Sequence, residues 1–344
     1  GWMIAAFFAA GAVSSAAFGR LGERLGAHRA LQLGSAGSAV AQVMIAFTPA
    51  RLPLLTAALF AAGLANTLAQ PAAHVVVSQR IPLERQGIAM AVKQSAIPAA
   101  TIVAGLAVPV IGLTVGWRWA FAGGAVLAAL ASLAARSVTD LPTRPIRPAA
   151  SDTPGSLTVL IILALGAWLA AGHATMIAGF LVDSGEHAGQ SASVAGLMLS
   201  IGSISGITSR LVLGAYVDRT SVRPLTLVVL VLGAGAIAAL LLAPQQPVLH
   251  ALATPVMFAT GWAWPGLFNL AVVRSRADRP GAATGVTQTG TYLGAVSAPL
   301  AFGALVEATD SYAVGWIFAA TWALSAAVVM AVANRWMRRA AGRT

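Results

Sequence analysis

Apolar residues recur along this chain in runs long enough to cross about 30 Å of hydrocarbon, broken by short polar punctuation. Eleven runs are expected, at approximately 2–18, 30–48, 53–77, 88–114, 117–138, 157–181, 192–216, 224–243, 247–273, 283–306 and 312–334. They lack the two-residue alternation of barrel strands, and an open strand edge cannot be satisfied in lipid, so each run predicts a helix. The composition agrees: 58% of residues are hydrophobic and 9% charged, against roughly 25% charged in a soluble domain. The expected fold class is an all-α membrane protein.

The polar residues between the runs repeat. Gly11, Gly19, Glu23 and Arg24 return as Gly206, Gly214, Asp218 and Arg219, 195 residues later. Pro71, Arg80, Arg85, Gly87 and Gln94 return as Pro265, Arg274, Arg279, Gly281 and Gln288 at an offset of 194, and Gly116 and Trp117 as Gly315 and Trp316 at 199. A duplicated bundle of membrane helices is the usual build of a secondary transporter. Between the copies, Pro142, Pro145, Pro148 and Pro154 cannot continue a helix and favour extended backbone in water. The expected organisation is therefore an N-terminal bundle of five helices (1–138), a linker (139–155) and a C-terminal bundle of six (156–344). Five spans against six, in a chain that starts on Gly1 inside an apolar run, predict a further helix ahead of residue 1.

Basic residues set the orientation. Alternate loops are expected to carry Arg20, Arg24 and Arg29; Arg80 and Arg85; Arg136, Arg144 and Arg147; Arg210, Arg219 and Arg223; Arg274, Arg276 and Arg279; and Arg335, Arg338, Arg339 and Arg343. Lys93 lies near that side, and only Arg51 and Arg118 fall opposite. The Arg-rich side and the C-terminus are thus expected in the cytoplasm, in a plasma (inner) membrane. The net charge of +11 follows from this asymmetry and a weak affinity for anionic lipid, so the lipid bilayer is an expected partner and nucleic acid is not. With no cysteine in the chain, disulfides and thiolate metal sites are excluded. No cofactor or metal is expected.

The loop Gly19, Arg20, Leu21, Gly22, Glu23, Arg24, Leu25, Gly26, followed by His28 and Arg29, resembles the signature loop of the major facilitator superfamily. The copy at Gly214, Asp218, Arg219 and Arg223 lacks the later glycine, having Thr220 and Ser221 there. The resemblance implies two pseudosymmetric six-helix bundles, with eleven of the twelve helices present, that carry a small solute by alternating access as a monomer. It also implies that Glu23 and Arg24 latch against the second half, and Asp218 and Arg219 against the first, when the carrier opens outward. The residue chemistry is compatible, since an acid at a helix end can face the positive N-terminus of a neighbour, and glycine permits close approach. A solvated loop that only sets topology is the alternative.

Polar groups among membrane helices are site candidates because they are costly there. Asn66, Gln70 and His74 are four apart and share one helix face, with Thr67 beside them. Lys93, the only lysine, lies inside the fourth span before Gln94 and Ser95. It is either a counter-charge for an anion or a side chain snorkelling to headgroups. Thr287, Gln288 and Thr289 occupy the equivalent places in the second half, with Tyr292 four residues after Gln288. Pro265 and Gly266 loosen a helix in mid-span beside Trp262 and Trp264, freeing carbonyls that need a partner, and Asn269 follows. Trp168 and His173 complete the set. For each group, ordinary helix-to-helix packing and hydrogen bonding is the competing reading.

No carboxylate lies well inside a span, so a proton-coupled carrier would use His74, His173, Lys93 or a group outside this sequence. Protons stand open as a partner beside the small-molecule solute. The leading expectation is a secondary active or facilitative carrier of a small organic anion. A drug/proton antiporter is the alternative; Gly105, Pro109 and Gly112 match that group's glycine-rich signature only in part, because Val108 precedes the proline. A transporter-like sensor remains open. A membrane-embedded enzyme is disfavoured, since the five histidines show no metal spacing and no intramembrane carboxylates pair.

Overall fold

In lipid every backbone N–H and C=O must be bonded within the protein, and this chain meets that demand with helices alone among its described residues. The structure, a computed structural model, describes residues 2–137 and 156–341; the expected linker 139–155 lies outside them. The helices are α1 (Trp2–Leu25), α2 (Ala27–Phe47), α3 (Leu52–Arg80), α4 (Gln86–Ala107), α5 (Trp117–Ala135), α6 (Ser156–His187), α7 (Ala192–Arg219), α8 (Pro224–Leu242), α9 (Pro247–Gly261), α10 (Trp264–Ser275), α11 (Pro280–Thr309) and α12 (Tyr312–Ala341). A short 3-10 turn (Leu83–Arg85) leads into α4, and a π-wound stretch (Val108–Gly116) joins α4 to α5. Among the described residues, eleven spans are apolar and long enough to cross a membrane, with α9 and α10 forming one broken span.

Proline and glycine set several boundaries. Pro224, Pro247 and Pro280 open α8, α9 and α11, where an N–H would be unpaired in any case. Gly26, at φ 84°, turns α1 into α2 and occupies backbone space that a Cβ would disfavour. The helices outrun the hydropathy runs at several ends. α1 continues past residue 18 to Leu25, about 36 Å in all, because hydropathy marks the hydrocarbon and not the end of the helix.

Large apolar side chains such as Val13, Leu127 and Leu241 are exposed. That surface suits acyl chains and would be a liability in water. Lipid supplies no hydrophobic drive between helices, so close packing through small residues takes its place. α2 approaches α3 at Gly34, where a Cβ would lie 2.7 Å from the Ala69 Cβ and 2.9 Å from the Ala65 carbonyl oxygen. α11 approaches α6 where Gly290 lies against the Ala164 backbone and Gly294 against that of Trp168. Within the first half α3 packs on α1 and α2, and α5 on α2; within the second, α12 packs on α6 and α8, and α9 on α7 and α8. The two most extensive pairings between the halves are α1 with α11 and α4 with α7, with α3 on α11 and α4 on α10 beside them.

Gly34→Val should force α2 off α3 and cost about 1–3 kcal/mol of stability. A thermal melt in detergent would show this as a lowered midpoint, and an unchanged midpoint would contradict so close an approach.

Candidate functional site

The two crossings between the halves are one contact made twice. In the first, Gly19 on α1 packs against the Gly281 carbonyl and the Gly285 backbone on α11; a Cβ there would lie 2.6 Å from that carbonyl oxygen. In the second, Gly214 on α7 packs against the Gly87 carbonyl and Ala91 on α4, again with 2.6 Å to the oxygen. The repeat offsets relate each residue of one crossing to its counterpart in the other. One turn further along, a carboxylate spans each gap. Glu23 Oε1 accepts the Ala282 N–H at 2.9 Å, and Asp218 accepts the N–H groups of Gly87 at 2.7 Å and Ile88 at 2.8 Å. Each acid thus satisfies unpaired donors at the positive end of a helix in the opposite half.

The expected arginines do not share in this. Arg24 and Arg219 are exposed and make no described bond across the halves. Arg274, the repeat copy of Arg80, crosses instead: its Nε donates to Gln86 Oε1 at 3.2 Å and its Nη2 to the Leu83 carbonyl at 2.8 Å. Gln86 in turn donates to the carbonyls of Ser78 and Ile81, pinning the turn between α3 and α4. A cavity of about 350 Å³ remains at this Arg-rich face, lined by Leu83, Glu84, Val217, Asp218, Thr220 and Arg274.

Deeper in the span lies a polar cluster. Lys93 begins about 10 Å into α4, seven residues from its start, and is partly exposed. Its Nζ donates to Gln70 Oε1, lies 2.8 Å from His74 Nε2 and is 3.1 Å from Gln94 Oε1. Gln70 Nε2 donates to Asn66 Oδ1 at 3.4 Å, and Asn66 Nδ2 donates across the halves to the Tyr292 hydroxyl at 2.6 Å. Gly11 makes room for the Tyr292 ring, which a Cβ there would meet at 2.6 Å.

Arg210 corrects the expected loop arginines. It lies inside α7, nine residues before the helix ends and only 3% exposed. Its Nη1 donates to the Gln94 carbonyl at 3.3 Å, whose normal helical partner four residues on is Pro98, which has no N–H to offer. Its Nη2 donates to the Trp262 carbonyl at the break between α9 and α10, and the guanidinium lies 5.1 Å from the Trp262 ring centre. The freed carbonyl expected around Pro265 is therefore taken by an arginine. The sequence held one signal: position 15, its counterpart in the repeat, is Ser15.

Other expected site residues lie apart from the cluster. His173 is fully buried, with Nδ1 3.0 Å from the Ala319 carbonyl and Nε2 facing Gly261 and Gly235. Trp264 is core, edge-on to Phe268. Asn269 donates to the Pro265 carbonyl of its own helix at 2.8 Å, and Gln288 is buried on α11 with no described bond. Trp168 donates to Ser297 at 2.9 Å beside an apolar groove of about 670 Å³ between α1, α6 and α11.

The sequence profile of the Major Facilitator Superfamily matches residues 1–299 and, in a second match, 163–342. The chain belongs to the major facilitator superfamily. No curated protein sequence matches this superfamily member significantly. Among solved structures it resembles the proton:xylose symporter XylE bound to 6-bromo-6-deoxy-D-glucose, with a TM-score of 0.77 at 16% identity over 96% of this chain and 84% of that one. FucP in the outward conformation gives 0.73 at 13% over 97% and 89%. The human organic anion transporter MFSD10 (TETRAN) gives 0.73 at 16% over 98% and 83%. At these identities the likeness is one of fold.

The paired crossing makes a prediction in a chain with no cysteine of its own. A cysteine in place of Ala91, which is 2% exposed against Gly214, should react slowly with a thiol reagent. Adding Asp218→Asn removes charge-assisted bonds worth about 1.5–3 kcal/mol, and modification should speed up roughly tenfold or more. Equal rates with and without Asp218→Asn would show that the carboxylate does not hold this crossing shut.

Proposed function

We propose that this transporter carries a small organic anion across the plasma membrane, by alternating access to a site between its two bundles. The Arg-rich face and the C-terminus lie in the cytoplasm on this reading, and the linker 139–155 joins the bundles there. The observation that carries it is the pair of basic side chains Lys93 and Arg210 inside the spans on facing helices α4 and α7, with no carboxylate among the described residues to neutralise them. The described acids Glu23, Glu84, Asp183, Glu186, Asp218, Asp278, Glu307 and Asp310 stand at helix ends or in turns. A positive charge inside a span with no counter-charge is costly even when hydrogen-bonded, and a bound anion supplies the counter-charge.

MFSD10 is an organic anion transporter and XylE a proton:xylose symporter. The fold accommodates both classes, and the two basic side chains favour an anion here. Access would alternate by breaking a defined set of bonds between the halves: Glu23 to Ala282, Asp218 to Gly87 and Ile88, Arg274 to Leu83 and Gln86, Arg210 to Gln94, and Asn66 to Tyr292. Lys93, Gln70, His74, Gln94 and Asn66 form the anion's lining, and Arg210 fixes the positive potential behind it.

A thermal-shift comparison tests this with lactate, succinate and inorganic phosphate against glucose and tetraphenylphosphonium. An anion at 100 times its dissociation constant stabilises by about 2.7 kcal/mol, and the shift should vanish in Lys93→Gln. Stabilisation by tetraphenylphosphonium, or by anions equally in both proteins, would overturn the proposal in favour of a drug exporter.

A further inference from the structure

The contact between Lys93 Nζ and His74 Nε2 brings two basic nitrogens to 2.8 Å. Such a contact is a hydrogen bond only when one proton lies between them, so the pair can be written in two forms. In the first, Lys93 is an ammonium and its three N–H groups meet three acceptors: Gln70 Oε1, Gln94 Oε1 and His74 Nε2. The ring proton of His74 is then on Nδ1, which is buried without a partner. In the second, Lys93 is an amine that donates to the two glutamines and accepts from His74 Nε2–H, leaving Nδ1 bare.

All three bonds at Nζ survive in both forms. Passing from the second to the first takes up one proton, which comes to rest on Nδ1 while the Nε2 proton moves to Nζ. A lysine beside a carboxylate would be fixed as an ammonium; a lysine beside a neutral histidine and two glutamines is not. The other groups around the pair do not neutralise it. Arg210 on α7 adds positive charge behind Gln94, Tyr292 on α11 is tied to Asn66, and Arg274 of α10 is engaged with Gln86 and Leu83 at the Arg-rich face.

We infer that the Lys93–His74 pair is the proton-carrying site of the carrier, taking up a proton when the anion binds and releasing it when the anion leaves, so that Lys93 is an amine in the empty carrier and a cation beside the bound anion. Anion and proton would therefore travel in the same direction on one site. The inference rests on the anion reading above, but its test separates the two. Only Lys93 contributes a lysine signal in the whole chain, so lysine labelled with ¹⁵N at Nζ gives one resonance that distinguishes amine from ammonium.

Lactate, succinate or inorganic phosphate is added to the purified wild type in weak buffer, with a pH dye recording proton uptake. The expected result is about one proton taken up per bound anion, with the lysine resonance moving from amine to ammonium. Lys93→Arg, whose guanidinium does not release its proton, should take up none with any anion it binds. Anion binding without proton uptake, with an ammonium resonance throughout, would overturn the proton site and leave the anion reading standing. A resonance that interconverts with pH while none of the three anions binds would keep the proton site and defeat the anion reading. An ammonium resonance at every pH with no anion bound would defeat both.

Discussion

A carboxylate at the start of a helix belonging to the other half is the interaction on which the closed Arg-rich face depends. Helix N-termini carry unpaired N–H groups and partial positive charge wherever they occur. Here two of them, at α4 and α11, are completed by Asp218 and Glu23 from across the divide. The carboxylates reach only because glycine at 19 and 214 lets the helices meet backbone to backbone. Bringing the crossings together and bonding them are thus one event. Separation uncovers donors in both halves at once, which suits a joint that opens and closes as a unit.

Below that joint, irregular backbone and charge are matched. Proline at 98 and the helix break at 262–263 each leave a carbonyl that a regular helix would have used, and Arg210 takes one from each half. The arginine is held by main chain instead of by an acid, so its charge is oriented but not cancelled. Lys93 is held in the same spirit by two amide oxygens and an imidazole. A cluster that bonds its basic side chains without a carboxylate is prepared for an anion, and this is the physical core of the proposed function.

Much of this was legible in the chain before any coordinates. Hydropathy marks all eleven spans, and the repeat offsets pick out Gly19, Glu23, Gly214 and Asp218, which do form equivalent contacts. Asn66, Gln70, His74 and Lys93 were expected to share a site, and the structure brings them together. Arg210 is hidden by its neighbours in sequence, since it falls within nine residues of Arg219 and reads as part of the same loop; only helix length separates the two. His173 and Trp264 show the opposite difficulty. A polar or aromatic residue in mid-span is expensive wherever it points, but one sequence does not say whether its helix face meets a cavity or another helix of the same bundle. Both face the interior of the second half.

The central claim is that two carboxylates hold the Arg-rich face closed between halves that separate. Its most direct measurement is the distance between spin labels at Leu83 and Thr220, which line the cavity at that face from opposite halves. Labels go on cysteines introduced into the cysteine-free chain, with and without Glu23→Gln and Asp218→Asn together. The account predicts one short distance in the otherwise native protein and a second, longer population once both carboxylates are neutralised. The same single distance in both proteins would contradict it.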